Sequence, residues 1–150
     1  GGVLRPHEKA DCLPGAFYNV VGCAVSLLIG TQDVACMCCL MLALGDPSAS
    51  LVGRLVGRRS RCRFPGGKSL DGSLTMFGVC LVVDLGYLGV AQPLLSPGDA
   101  WRWSLAASAL AAISEAVPPF GLDDNLVVPL VPCACAFLLS WALPGIFPDV

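Results

Sequence analysis

The sequence predicts an all-α, polytopic integral membrane protein with about five transmembrane helices, on three observations. The chain is 55% hydrophobic and 13% charged, with a mean hydropathy of +0.74, whereas a soluble domain carries about 25% charge. Its apolar residues gather into five stretches, roughly 15–30, 33–52, 74–95, 100–117 and 126–143, and a membrane span needs about 20 residues. Those stretches are apolar all round, the pattern of helices buried in lipid and in one another. The net charge of −2 implies no bulk polyanion partner, so nucleic acid is not expected.

The first stretch is marginal in length and follows a polar segment holding Arg5, His7, Glu8 and Lys9. The chain opens on Gly1 without a charged n-region, short apolar core and cleavage site. It is expected to be a fragment, the C-terminal part of a longer protein. The second stretch contains Asp46-Pro47. Proline removes a backbone donor and disfavours helix at the residue before it. The helix is therefore expected to break there, after about 16 Å of helix over 34–44, with Asp46 as N-cap and Pro47 as the first residue of a new piece. The free N–H groups of that piece form an anion site. The remaining three stretches are long enough to span. Of the nine cysteines, seven lie in apolar runs; Cys36 and Cys39 have C-x-x-C spacing but no second pair, and read as small apolar filler.

Orientation follows from the basic residues of short connections. Residues 53–71 hold Arg54, Arg58, Arg59, Arg61, Arg63 and Lys68. With that connection cytoplasmic, alternation puts 1–14 and 118–125 on the same side. Eight of the nine Lys and Arg residues then fall there, and Arg102 alone falls opposite.

Three groups of residues on that side carry chemistry. Asp46 follows a run of uncharged residues at or near bilayer depth, where an acid is a functional hypothesis by default; hard oxygen donors favour Mg²⁺. Gly66-Gly67-Lys68-Ser69-Leu70-Asp71-Gly72-Ser73 combines glycines, which let a backbone approach phosphates, with the point charge of Lys68. Glu115, Asp123 and Asp124, with Asn125 beside them, lie within ten residues of sequence, and carboxylates so close are costly unless they share a cation. Helix capping accounts for one of Asp123 and Asp124 but not for all three acids. Carboxylates for Mg²⁺ opposite cations for phosphates are what phosphoryl or nucleotidyl transfer requires. Asp84, in mid-helix, has no identifiable partner in the sequence.

These residues resemble a known family. Asp33-Val34-Ala35, Leu44-Gly45-Asp46-Pro47-Ser48-Ala49-Ser50 and Gly53-Arg54-Leu55-Val56-Gly57 are similar to the central nucleotide-site stretch of the CTP-dependent lipid kinases. That group contains CTP-dependent diacylglycerol, phytol and dolichol kinases and is distantly related to phosphatidate cytidylyltransferase. Gly67-Lys68-Ser69-Leu70-Asp71-Gly72-Ser73 resembles its K-S-L-x-G-S signature, and Glu115-Ala116 with Gly121-Leu122-Asp123-Asp124-Asn125 its closing motif. The resemblance covers nearly the whole chain. The upstream helices and basic motif usual in the family are missing, so 1–150 is expected to be the C-terminal part of a CTP-transferase-like membrane domain. The S-P-K-K-T-like and G-G-x-x-D-R-x-D patterns of the cytidylyltransferases are also missing, which favours the kinases.

The resemblance implies transfer of the γ-phosphate of CTP to the hydroxyl of a membrane lipid, with Mg²⁺ as cofactor. Diacylglycerol is the first acceptor and phytol or dolichol the alternatives; the products are CDP and a lipid phosphate, phosphatidate for diacylglycerol. It assigns catalysis to Asp46, Lys68, Asp123 and Asp124. Nucleotide or phosphate binding falls to Arg54, Arg58, Gly67, Lys68, Ser69, Gly72 and Ser73. Metal binding falls to Asp46, Glu115, Asp123, Asp124 and Asn125. The implied location is the endoplasmic reticulum, or the plastid envelope for a phytol kinase, with the site facing the cytoplasm. Homo-oligomerisation is left open. A cytidylyltransferase is the nearest enzymatic alternative; a transporter or inactive scaffold with an ion at a broken helix is the alternative from another class.

Overall fold

The computed structural model describes residues 15–56, 64 and 67–142, with side chains as far as residue 139. Its elements are α1 (Gly15–Ile29), α2 (Gln32–Leu40), a π turn (Met41–Gly45), α3 (Asp46–Leu55), α4 (Leu70–Ala91), α5 (Pro97–Ala116), a 3₁₀ turn (Pro119–Gly121) and α6 (Asp124–Ala142). With α2, the π turn and α3 taken as one rod, they form five helical rods that overlap the five apolar stretches of the sequence, α4 starting and ending about four residues earlier than expected. Two of the rods, Gln32–Leu55 and Leu70–Ala91, are long and apolar enough to cross a membrane; α1 and Asp124–Leu139 are apolar but shorter.

The expected break at Asp46-Pro47 is not what forms. The backbone stays right-handed helical through Leu40, Met41, Gly45 and Asp46 (φ −67, −55, −69 and −60°). Asp46 does not adopt the extended conformation of an N-cap. The irregularity that proline introduces is absorbed upstream, as one wide π turn. Pro47 has no N–H to offer the turn before it, and the hydroxyl of Ser48 donates to the carbonyl of Leu44 at 2.7 Å. Because the helix continues into α3 from α2, the start of α3 is not a free helix end and does not supply the expected anion site.

Serines start the next two helices. Ser69 is extended, and its Oγ accepts from the Gly72 N–H at 3.2 Å. Ser96 does the same for Asp99 at 3.1 Å, with Pro97 next to it; such caps satisfy donors that the first turn leaves without partners. The rods pack α4 on α5, α1 on α6, α3 on α4 and α5 on α6. Met41, Leu42, Met76, Cys80 and Val128 meet in the core, with Ala49, Ala111 and Ala112 letting the helices approach. The end of α3, the start of α4, the end of α5 and the start of α6 meet at one end of the bundle. At the other end, Asp33 accepts from Tyr87 Oη at 2.7 Å and Gln92 Nε2 at 2.5 Å.

The approach of α3 to the start of α4 depends on Gly72. A β-carbon there lies 3.1 Å from the Ala49 carbonyl oxygen and 3.2 Å from Ser69 Oγ. The first is backbone, which cannot swing aside. Gly72→Ala is therefore expected to cost about 1–3 kcal/mol through overpacking, read as a lower midpoint of thermal or detergent denaturation. No change in midpoint refutes the close approach.

Candidate active site

The site is built on a tight turn and two helix ends. In the turn, the Phe64 N–H donates to the Lys68 carbonyl at 2.9 Å and the Gly67 N–H to the Phe64 carbonyl at 2.8 Å. Gly67 has φ +81° with nothing within 4 Å of where a β-carbon stands. It is backbone conformation rather than space that calls for glycine here. The turn delivers Lys68 immediately before the Ser69 cap of α4.

Lys68 Nζ lies 2.7 Å from Glu115 Oε1, at the end of α5, and 2.5 Å from Asp124 Oδ2, in the first turn of α6. The second Glu115 oxygen accepts from Ser73 Oγ at 3.1 Å. The Glu115 side chain is 4% exposed, that of Asp124 14% and that of Lys68 32%. The cation that these closely spaced acids share is therefore the lysine ammonium. The chain reverses between α5 and α6 at Phe120 (φ 58°) and Gly121 (φ 69°), two consecutive left-handed residues. For phenylalanine that conformation costs roughly 1–2 kcal/mol; this reversal brings Asp124 back beside Glu115.

The neighbouring acid does different work. Asp123 Oδ1 accepts from the Asn125 N–H at 3.0 Å and from Asn125 Nδ2 at 2.7 Å. Its carbonyl accepts from Leu126 and Val127. Asp123 thus caps α6 and is held by Asn125; Asp124 shares the Asn125 N–H through Oδ1 at 3.0 Å and faces Lys68 with Oδ2.

The structure brings together Lys68, Ser73, Glu115 and Asp124, with Ser69, Gly72, Asp123 and Asn125 shaping the two helix starts. It does not bring all the predicted residues to one point. Among the described residues no three His, Cys, Asp or Glu side chains converge as a metal group, so Asp46, Glu115, Asp123 and Asp124 are not one cage. Asp46 is half-buried at the start of α3. Arg54 is exposed and turns back, its Nε donating to the Ser50 carbonyl of its own helix at 3.0 Å. Arg58, Arg59, Arg61 and Arg63, and His7, Glu8 and Lys9, lie outside the described residues.

Asp84, without an identifiable partner in the sequence, has one in the structure. Asp84 is fully buried and Ser108 Oγ donates to its Oδ2 at 3.1 Å. Ser104 and Ser108, one turn apart on α5, are both buried, and that spacing of hydroxyls in an apolar helix was the available signal.

Electrostatics favour a charged Lys68. Burial of the ammonium pulls its pKa down, but the hydrogen bonds and charges of Asp124 and Glu115 push it up and prevail, so it titrates above the ordinary lysine value. A raised folded-state pKa contributes stability that is complete below the unfolded value, about 10.4, and is lost as pH rises through the folded value. The stability difference between wild type and Lys68→Met is accordingly expected to hold steady from neutral pH to about 10 and to shrink above it. Thermal melts across that range check this; a difference that shrinks below pH 9 or so contradicts the pairing.

No family model matches the chain, and no solved structure matches it. Curated proteins do. CTP-dependent diacylglycerol kinase 1 of Schizosaccharomyces pombe is 32% identical over 145 residues, covering 93% of this chain and 66% of that protein. CTP-dependent diacylglycerol kinase 1 of Saccharomyces cerevisiae is 25% identical over 87% of this chain and 50% of its own length. Probable phytol kinase 2, chloroplastic, of Oryza sativa subsp. japonica is 30% identical over 84% of this chain and 43% of its own length. The chain thus spans from under half to about two thirds of these relatives, and the matches run through the Lys68, Glu115 and Asp124 segments. With relatives of one kind aligned over most of its length, the chain belongs to the family of CTP-dependent lipid kinases.

Proposed function

We propose that the protein transfers the γ-phosphate of CTP to the hydroxyl of a membrane lipid, with diacylglycerol as first acceptor, giving phosphatidate and CDP. The observation that carries this reading is the lysine held between two carboxylates at the meeting of α4, α5 and α6. The names of the relatives supply the donor and the acceptor class. In the reaction the lipid oxygen bonds to the γ-phosphorus, the bond from that phosphorus to the β–γ bridging oxygen breaks, and the hydroxyl proton leaves to a base. Asp124 is the better candidate for that base. Both acids are engaged, Glu115 by Ser73 and Lys68 and Asp124 by the Asn125 N–H and Lys68, but the Asp124 side chain is 14% exposed against 4% for Glu115 and is the one within reach of an incoming hydroxyl. Glu115 positions Lys68, and Lys68 offsets charge on the transferring phosphate.

The donor set suits magnesium. It consists of hard carboxylate oxygens, and Mg²⁺ is usually held by one or two carboxylates together with substrate phosphates rather than by an all-protein cage. Asp46 would hold it, and the ion would supply neutralisation of the triphosphate. Arg54 and Arg58 are proposed, with Lys68, to neutralise phosphate charge of the nucleotide.

The apolar exterior supports a membrane setting. Leu28, Val90 and Leu94 are 84%, 85% and 98% exposed, a surface that suits lipid better than water. The contact of Lys68 with Asp124 joins the two connections that charge counting assigns to the cytoplasmic side, as a cytoplasm-facing site requires. The endoplasmic reticulum is the proposed location for a diacylglycerol acceptor. A phytol acceptor in the plastid envelope is the second reading, favoured by the phytol kinase relative.

The test uses CTP labelled on the γ-phosphate, full-length protein and dioleoylglycerol or phytol in micelles. Label is expected on the lipid. Label in pyrophosphate identifies a cytidylyltransferase, and no CTP turnover with either alcohol rejects the kinase.

A further inference from the structure

A groove runs along the outside of the bundle between α4 and α5, at the end that carries Lys68. Leu74 and Phe77 of α4 and Ala109 and Ile113 of α5 line it, and Ser73 lies at its inner edge. Its volume is about 290 Å³, at the lower end of the roughly 300–1,000 Å³ of ligand sites. Leu74 and Ile113 are 60% and 62% exposed, so the groove opens sideways from the helix pair. Ala109, Ala112 and Ala116 recur at helical spacing along α5 and border it; their small side chains leave the space open. None of the residues lining it is charged.

The groove is continuous with the polar site through one residue. Ser73 lines it and also donates to Glu115, whose other oxygen holds Lys68. A lipid alcohol has the matching shape, a single reactive hydroxyl on a long apolar body. With the hydroxyl at the carboxylates, the body must leave through apolar surroundings, and this groove adjoins them. A second apolar cavity, bordered by Met37, Leu88, Ala107 and Ala136, holds only about 70 Å³. Its polar neighbour Gln92 is bound to Asp33 at the far end of the bundle, so it does not lead to the site.

We propose that the α4–α5 groove is the acceptor subsite, holding an aliphatic chain of the lipid so that its hydroxyl meets Asp124 beside Ser73 and Glu115. This rests on the kinase reading and adds to it the face by which the lipid enters.

Two measurements on the full-length protein test it. In the first, a diacylglycerol with a photoactivatable group in its acyl chain is crosslinked to the protein in micelles, and the labelled peptides are mapped. Label is expected on residues 70–77 and 109–117, and excess dioleoylglycerol should compete it away. Label elsewhere, or label on these peptides that dioleoylglycerol does not displace, overturns the proposal; the second pattern marks ordinary surrounding lipid. In the second, Ala109→Phe fills the groove. It is expected to raise the KM for dioleoylglycerol at least about fivefold while the KM for CTP stays put, the signature of lost acceptor binding. Unchanged KM for the lipid in a variant that folds overturns the proposal. The crosslink needs no turnover. Competed label in a protein that does not phosphorylate lipid rejects the kinase while keeping the groove; active kinase with uncompeted label rejects the groove alone.

Discussion

Replacing Lys68 by alanine is expected to lower kcat/KM for CTP-dependent lipid phosphorylation at least about tenfold, equivalent to roughly 1.4 kcal/mol. The same substitution should lower stability. Lys68 is the cation between Glu115 and Asp124, and its removal leaves a carboxylate that is only 4% exposed without its neutralising partner. For a fully buried pair that costs about 3–5 kcal/mol; with a third of Lys68 open to solvent, about 1–3 kcal/mol is the better expectation. The two effects are separable. Glu115→Gln removes the stranded charge, so the double variant Lys68→Met with Glu115→Gln should be less destabilised than the sum of the single variants, by about 0.5 kcal/mol or more. Its activity should stay low, because Lys68 is still missing from the phosphate. Additive stabilities would show that the pair is not coupled, and restored activity would show that Lys68 serves the fold only. Arg61→Ala and Arg63→Ala set the comparison. Charges in a solvated loop are screened within about 8 Å at physiological salt, so each should change kcat/KM little, and mainly at low ionic strength. Three substitutions behaving alike would make the whole connection a diffuse electrostatic patch.

Asp124→Asn is expected to cost turnover at least about a hundredfold, the lower range for loss of a positioned base. Asp123→Asn should stay within about threefold of wild type, since asparagine caps a helix as well as aspartate does. The two residues are adjacent and chemically identical, so composition and expression cannot explain a difference between them. The distinction comes from geometry alone: both accept from the Asn125 N–H, but Asp123 alone accepts from the Asn125 side-chain amide and precedes α6, while Asp124 alone faces Lys68. Steady-state kinetics with γ-labelled CTP on the paired variants check it. The assignment is wrong if Asp123→Asn is the inactive one.

Much of this was legible in the residues. The five apolar stretches became five helical rods because long apolar runs with few charged residues pair their own backbone groups within a helix. The glycines around Lys68 announced the turn that places the lysine, but the Ser69 cap that follows it was not read from the sequence. The carboxylates of 115–124 announced a shared cation, though not which. The break at Asp46-Pro47 was misplaced. Proline reports a missing donor, but whether the helix stops or widens by a turn depends on what packs around it. Here the π turn at Met41–Gly45 lies against α4 and α6, with Met41 and Leu42 in the core, and the packing carries the helix through.

The sequence by itself determined that the chain is all-helical, roughly where its helices run, and that Lys68 and Asp124 belong to one end of the bundle. Each of these follows from local chemistry: hydropathy over one stretch and a charge count over one connection. Tertiary structure alone decided that Lys68 sits on Glu115 and Asp124 across sequence separations of 47 and 56 residues, that Asp123 caps while Asp124 faces the lysine, and that Asp84 meets Ser108. Those choices depend on which helix faces which, and in a chain whose helices are apolar all round no periodicity marks the facing side. The few polar atoms settle it through the helix packing that lets them reach one another, because an unpaired polar group inside an apolar bundle costs more than a lost contact at its surface.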